Sequence, residues 1–211
     1  MSDQPEQPVY NNKRFKVRHY NFDLFVGPAA GQPLRDYTLT DLETGAAVKL
    51  SDYHGKWLVL ETGSSTCSMY TKNIDGMAEL RADFPDVEFA MIYTREAHPG
   101  ERLGAHQSMD DKLTAAKMVT PRYGEHRRVL VDNLEGDFHR AYGMMPNMLY
   151  IFRPDGTVTA GNASSISDGA AAVVILDGLG DRGGGDGFAK GLREEPSPNP
   201  SPRGREIGLG A

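Results

Sequence analysis

Leu58-Val59-Leu60-Glu61-Thr62-Gly63-Ser64-Ser65-Thr66-Cys67 is the stretch on which the reading of this chain turns. An apolar run predicts a buried strand. The Gly/Ser/Thr turn after it delivers a thiol to the start of a helix. The unpaired N–H groups and positive dipole end at a helix N-terminus favour thiolate over thiol, and the hydroxyls of Ser64 and Thr66 can hydrogen-bond the anion that forms. Cys67 is therefore read as a nucleophile, with a buried structural cysteine as the competing reading. It is the single cysteine in 211 residues. That excludes an intrachain disulfide, a Cys-rich zinc site and a resolving thiol within the chain, and it agrees with a reducing compartment.

Downstream of the thiol, Tyr70, Ile74, Met77, Leu80 and Phe84 recur at helical spacing and define one face of a helix that ends near Pro85. Val87-Glu88-Phe89-Ala90-Met91-Ile92-Tyr93 reads as a second buried strand, so the two strands and the helix between them form a parallel βαβ unit. Open α/β sheets place their sites beyond the C-terminal ends of the strands, which is where both Cys67 and Arg95-Glu96-Ala97-His98-Pro99-Gly100 fall. Ser108 caps a further helix, with Met109, Leu113 and Ala116 facing inward. Val129-Leu130-Val131-Asp132 is the next strand, and a short helix from about Gly136 ends at Gly143. Met148 to Phe152 and Thr157 to Ala160 form a hairpin around Arg153-Pro154-Asp155-Gly156, and Ala170 to Leu176 reads as one last apolar element.

Upstream, Tyr37 and Leu39 alternate on one side of Glu43-Thr44-Gly45, and Val48 and Leu50 on the other. This is the pattern of a β-hairpin, and a helical turn stopped by Gly55 follows it. Residues 1–14 are polar and read as a disordered N-terminus, 15–177 as one α/β domain, and 178–211, Gly-rich and then Pro-rich, as a disordered tail. The net charge of −6 gives no electrostatic case for nucleic acid or an anionic membrane, and Lys13 to Arg18 is only a short basic cluster. No stretch approaches about 18 uninterrupted apolar residues, and the N-terminus lacks a signal-peptide pattern, so a cytoplasmic protein without membrane partners is expected.

The order hairpin, β, α, β, α, β, α, Pro, β-hairpin predicts a thioredoxin-like α/β fold of the redoxin kind with an N-terminal β-hairpin extension. Thr38-Leu39-Thr40-Asp41-Leu42 and Leu50-Ser51-Asp52-Tyr53-His54-Gly55-Lys56-Trp57-Leu58-Val59-Leu60 resemble the opening of peroxiredoxins. A more specific resemblance lies in Gly63-Ser64-Ser65-Thr66-Cys67, Ile92-Tyr93-Thr94-Arg95-Glu96-Ala97-His98-Pro99, the segment from His106 to Ala116, and Ala141-Tyr142-Gly143 with Leu149-Tyr150. These blocks resemble the catalytic domain of iodothyronine deiodinases over about residues 34–162. The family usually carries selenocysteine at the place of Cys67, which attacks the iodine of an iodothyronine and is regenerated by thiol.

What the resemblance implies is a nucleophile at Cys67, hydroxyl support from Ser64 and Thr66, and proton transfer or substrate contact from Glu96, His98 and His106. Ser65 and Pro146 join His106 as substrate contacts. It further implies a small-molecule substrate, no bound cofactor, an external reductant such as thioredoxin or glutathione, and a homodimer. The chemistry is sound on its own terms, because a histidine oriented by a carboxylate moves protons near neutral pH. Glu96 and His98, two apart, share a side of an extended loop. His19, His54, His126 and His139 have no companions and read as surface or structural. No recognised metal-ligand spacing is present.

The sequence also departs from the family. Met148 stands where an arginine usually precedes the Leu-Tyr pair, and the proline between the hydroxyl and the nucleophile of peroxiredoxins is missing. Pro146 occupies the place of the cis-proline of thioredoxin-like folds, and by analogy a cis bond is expected there. Three functions follow: deiodinase-like reductive dehalogenation, a one-cysteine peroxidase passing through a sulfenic acid, and a thioredoxin-fold module that binds without turnover. An unactivated thiol of low exposure would favour the third.

Overall fold

The computed structural model describes residues 10–20, 27–100 and 103–162, with side chains described as far as Thr159. Seven strands and four helices alternate along this stretch: β1 (Thr38–Asp41), β2 (Ala47–Lys49), β3 (Trp57–Gly63), α1 (Ser68–Asp83), β4 (Val87–Tyr93), α2 (Met109–Ala116), α3 (Val119–Tyr123), β5 (Arg128–Val131), α4 (Asp137–Tyr142), β6 (Leu149–Phe152) and β7 (Val158–Asn162). The strands form one sheet in the order β2-β1-β5-β4-β3-β6-β7. β3, β4 and β5 are parallel neighbours, as a βαβ connection demands, while β6 runs antiparallel to β3 and β1 antiparallel to β5. This is a thioredoxin-like fold with the β1–β2 hairpin added at one edge.

Alternation along β3 explains the layering. Leu58 and Leu60 point to the face covered by Phe138 and Tyr142 of α4, where they meet Leu39, Val48, Ile92, Leu130 and Tyr150. Trp57 and Val59 point the other way, into Met77 and Leu80 of α1 and Phe84 just after it. Burying both faces of the central strands in this way is what makes them read as continuous apolar runs. The helix face foreseen from spacing is the one that packs: Tyr70, Ile74, Met77 and Leu80 are all buried.

Several expectations need correction. Tyr10 falls within the segment expected to be disordered, yet it is 5% exposed and hydrogen-bonds His139. On α2, Met109 and Leu113 are only partly buried, whereas Lys112 is buried completely, its Nζ donating to the Asn133 carbonyl at 2.7 Å. Helix α3, absent from the reading, ends at Gly124 in the left-handed region that glycine enters without steric cost. All peptide bonds among the described residues are trans, so the bond before Pro146 is not the cis bond expected by analogy. The chain reverses instead at Met144, whose φ of 59° is the one positive value at a non-glycine residue among those described. Met148 N–H then closes onto Thr62 Oγ1 at 2.8 Å. The predicted element from Ala170 to Leu176 and the tail from 178 onward lie outside the described residues.

Candidate active site

Cys67 is the N-cap residue of α1, at the end of the turn that leaves β3, as the strand-turn-helix pattern required. Its environment differs from expectation. The thiol is 2% exposed, packed with Tyr70, Ile74, Met91, Tyr93 and Ala97. Burial pushes its pKa up, and nearby Glu61 and Glu96 add to that. The backbone N–H groups of Tyr70 and Met69 pull the other way without prevailing. The helix start therefore supplies the donors foreseen, but removal from water outweighs them, and the resting group is a thiol.

The hydroxyls of the turn tie loops together. Ser64 Oγ accepts from Ala97 N–H at 3.1 Å, Ser65 Oγ donates to the Ala115 carbonyl at 3.2 Å, and Thr66 Oγ1 donates to Glu96 Oε2 at 2.6 Å while accepting from His98 N–H at 3.0 Å. These bonds fasten the segment after β4 onto the turn before α1. Glu96 is the centre of the arrangement. Its carboxylate also accepts from Thr66 N–H at 2.9 Å and from the Tyr93 hydroxyl, and His106 Nε2 stands 3.3 Å from Oε1. Burial alone would raise the carboxyl, but the contacts from His106, Thr66 and Tyr93 outweigh it and hold Glu96 below its ordinary value. Tyr93 moves in the opposite sense, its hydroxyl kept protonated by burial and by the Glu96 charge.

Of the residues singled out beforehand, Ser64, Ser65, Thr66, Cys67, Glu96 and His106 come together in this cluster. The carboxylate stands against His106, ten residues further along the chain. His106 is 4% exposed, and its Nδ1 meets no hydrogen-bond partner among the described residues. His98 is half-buried, with its ring on that of Phe15 at 4.5 Å between centroids. Pro146 lies half-buried in the loop before β6, and its neighbour Asn147 reaches Glu61 Oε1 at 2.9 Å.

A second polar layer, unforeseen, lies under α1. Arg127 Nη1 pairs with Glu61 Oε2 at 2.7 Å, and Nη2 with Glu125 Oε2 at 2.6 Å, all but out of contact with water. Tyr70 donates to the same Glu125 oxygen at 2.8 Å. The signal was in the sequence: Glu61 is a charge inside an apolar strand, and such a charge must find a buried partner. Tyr93 was likewise read only as a core residue, although a hydroxyl at a strand's C-terminal end faces the site. Among the described residues no three His, Cys, Asp or Glu side chains gather as metal ligands, and no helix is long and apolar enough to cross a membrane.

The family model for iodothyronine deiodinase matches residues 15–167. The thyroxine 5-deiodinase of Sparus aurata is 25% identical over 114 residues, covering 49% of this chain and 42% of that protein. The peroxisomal 3-ketoacyl-CoA thiolase A of Candida tropicalis is 36% identical over 91 residues, 42% of this chain but 21% of that enzyme. This chain thus spans less than half the length of either relative. Among solved structures, a secreted Mycobacterium tuberculosis disulfide oxidoreductase homologous to E. coli DsbE superposes with a TM-score of 0.53 at 20% identity, over 67% of this chain and 95% of that one. At that identity the likeness is one of fold.

Proposed function

The chain belongs to the iodothyronine deiodinase family, and from that premise we propose that it is a thiol oxidoreductase that reductively dehalogenates a halogenated phenol with Cys67 as nucleophile. The observation that carries this reading is the placement of Cys67 as the N-cap of α1, with an ionised, buried Glu96 bonded to the preceding residue and set against His106. In the reaction the sulfur attacks the halogen, an S–I bond forms and the C–I bond breaks. The ring carbon keeps the electron pair and takes a proton. A first external thiol then attacks the sulfenyl iodide, releasing iodide and leaving a mixed disulfide, and a second thiol restores Cys67. The two electrons delivered to the substrate come from those two thiols, which leave as their disulfide.

Glu96 and His106 suit the proton steps. The carboxylate stands 3.3 Å from Nε2 and leaves Nδ1 to give or take the proton. The donors from Tyr70 and Met69 stabilise negative charge on sulfur as it leaves the thiol state. Iodide release from an iodothyronine under excess dithiothreitol, compared with Cys67→Ser, tests the proposal. Release that depends on Cys67 is expected, and release no greater than that of the variant would overturn it.

One observation favours a second reading. A thiol 2% exposed and shifted upward by burial is what a module that binds without turnover would show. The two readings part on whether Cys67 is reached by small electrophiles in the folded protein.

A further inference from the structure

Arg95 lies two residues beyond β4 and is 4% exposed, yet no carboxylate is within ion-pair distance of it among the described residues. A buried guanidinium is costly, and among the described residues it is main-chain carbonyls and aromatic rings that meet it. Nη1 donates to the Tyr10 carbonyl at 2.7 Å and Nη2 to the His19 carbonyl. The Tyr10 and Tyr20 rings flank the carbon of the guanidinium at 5.0 and 4.4 Å. Nε makes no hydrogen bond among the described residues.

Residues 10–20 thus run across the site as a strap gripped at both ends by one arginine. Its further contacts include Tyr10 OH to His139 Nδ1 at 2.7 Å, Asn11 Nδ2 to the Leu134 carbonyl at 2.8 Å, Tyr20 OH to the Ala97 carbonyl at 3.0 Å, and the Phe15 ring on His98. Its middle is exposed, 37% at Phe15 and 63% at Val17. Tyr20 lies close enough to Cys67 for negative charge on the sulfur to raise the pKa of its hydroxyl, after burial and against Arg95. A cavity of about 10 Å³, the size of one water, remains between the strap and Arg95, Glu96 and Pro99.

We propose that residues 10–20 are a strap closed over the thiol turn and latched by Arg95, and that an anionic group of the substrate takes over the guanidinium when the strap opens. Two parallel N–H groups that now hold carbonyls are the geometry a carboxylate accepts in bidentate fashion. The substrate half deepens the dehalogenase reading, since it adds that the halogenated phenol carries an anionic group. Arg95 would thereby supply a cation at the site although Met148 stands at the position where the family's arginine is expected.

The test is alkylation of Cys67, the single cysteine, by neutral iodoacetamide and by anionic iodoacetate, followed by intact mass in the full chain. Wild type is compared with Arg95→Gln and with Phe15→Ala, which truncates a partly exposed strap residue and keeps the check alive if the first variant folds poorly. With the latch weakened, iodoacetamide labelling rises about tenfold, the scale of one lost hydrogen bond to a charged group. The ratio of iodoacetate to iodoacetamide rates falls in Arg95→Gln and holds in Phe15→Ala. The ratio is independent of how much thiolate is present, because both reagents need the same thiolate. An iodoacetamide rate unchanged in both variants would overturn the strap, and an unchanged ratio in Arg95→Gln would overturn the anion site. Neither readout needs turnover, so a failure to release iodide leaves this test standing.

Discussion

His139 offers a sharp thermodynamic check on the architecture around the strap. It is completely buried, with Nε2 2.6 Å from the Met145 carbonyl and Nδ1 2.7 Å from the Tyr10 hydroxyl. Those partners fix a neutral imidazole with the proton on Nε2. Burial first, then the charges of Arg95, Lys112 and Arg140, lower its pKa from 6.5 to about 3. A group whose folded pKa is depressed stabilises the fold above its unfolded pKa, and that contribution is lost as pH falls toward the folded value. The unfolded chain takes up a proton near pH 6.5 that the native state refuses until about pH 3. Between pH 7 and pH 4 this difference integrates to a loss of about 3 kcal/mol. Urea unfolding of wild type and His139→Gln at the two pH values isolates it, because every other titrating group is common to both proteins. Glutamine keeps an N–H that can reach the Met145 carbonyl and carries no titratable proton. Wild type should lose about 3 kcal/mol more than the variant on acidification. Parallel losses, within about 1 kcal/mol of each other, would refute the claim that a neutral buried His139 underlies this part of the fold.

Three further outcomes are expected. The rate of Cys67 alkylation by iodoacetamide should keep climbing past the pH at which a free thiol levels off, because burial raises its pKa; a plateau at or below the free-thiol midpoint would contradict this. Arg127→Met leaves Glu61 and Glu125 buried without their cation and should cost about 3–5 kcal/mol in urea unfolding, with Glu61→Gln costing clearly less. Gly63→Ala places a Cβ 2.3 Å from the Tyr70 ring and should destabilise by about 1–3 kcal/mol, measurable as a lowered melting temperature.

The fold was legible because its signals are local and periodic. Tyr70, Ile74, Met77 and Leu80 announce a helix face, and Leu58 to Leu60 announce a strand buried on both sides. The hairpin at Leu39 and Val48 was equally plain, and the two residues pair in register. Much of the candidate cluster was legible too, since Cys67 and Glu96 fall beyond strand ends and the family resemblance implies His106. Pairing across distance was not. Glu96 stands against His106 because of a loop path that spacing does not encode, and Arg127 meets Glu61 through the stacking of a loop under α1. The protonation state of Cys67 also escaped sequence. The helix terminus is visible in the chain, but the extent to which water is excluded from it depends on neighbours as remote as Tyr20.

The enclosure of Cys67 bears on the partner that must restore it. On the dehalogenase reading, with no second thiol in the chain, each turnover passes through a bond between this sulfur and a sulfur arriving from outside. That sulfur is 2% exposed and shares a buried cluster with Tyr70, Tyr93 and Ala97, so on this reading the newcomer has first to uncover it. If the proposed strap and reading both hold, electron donors are sorted by girth: a tripeptide-sized thiol needs a modest opening, whereas a protein reductant needs the whole strap swung clear.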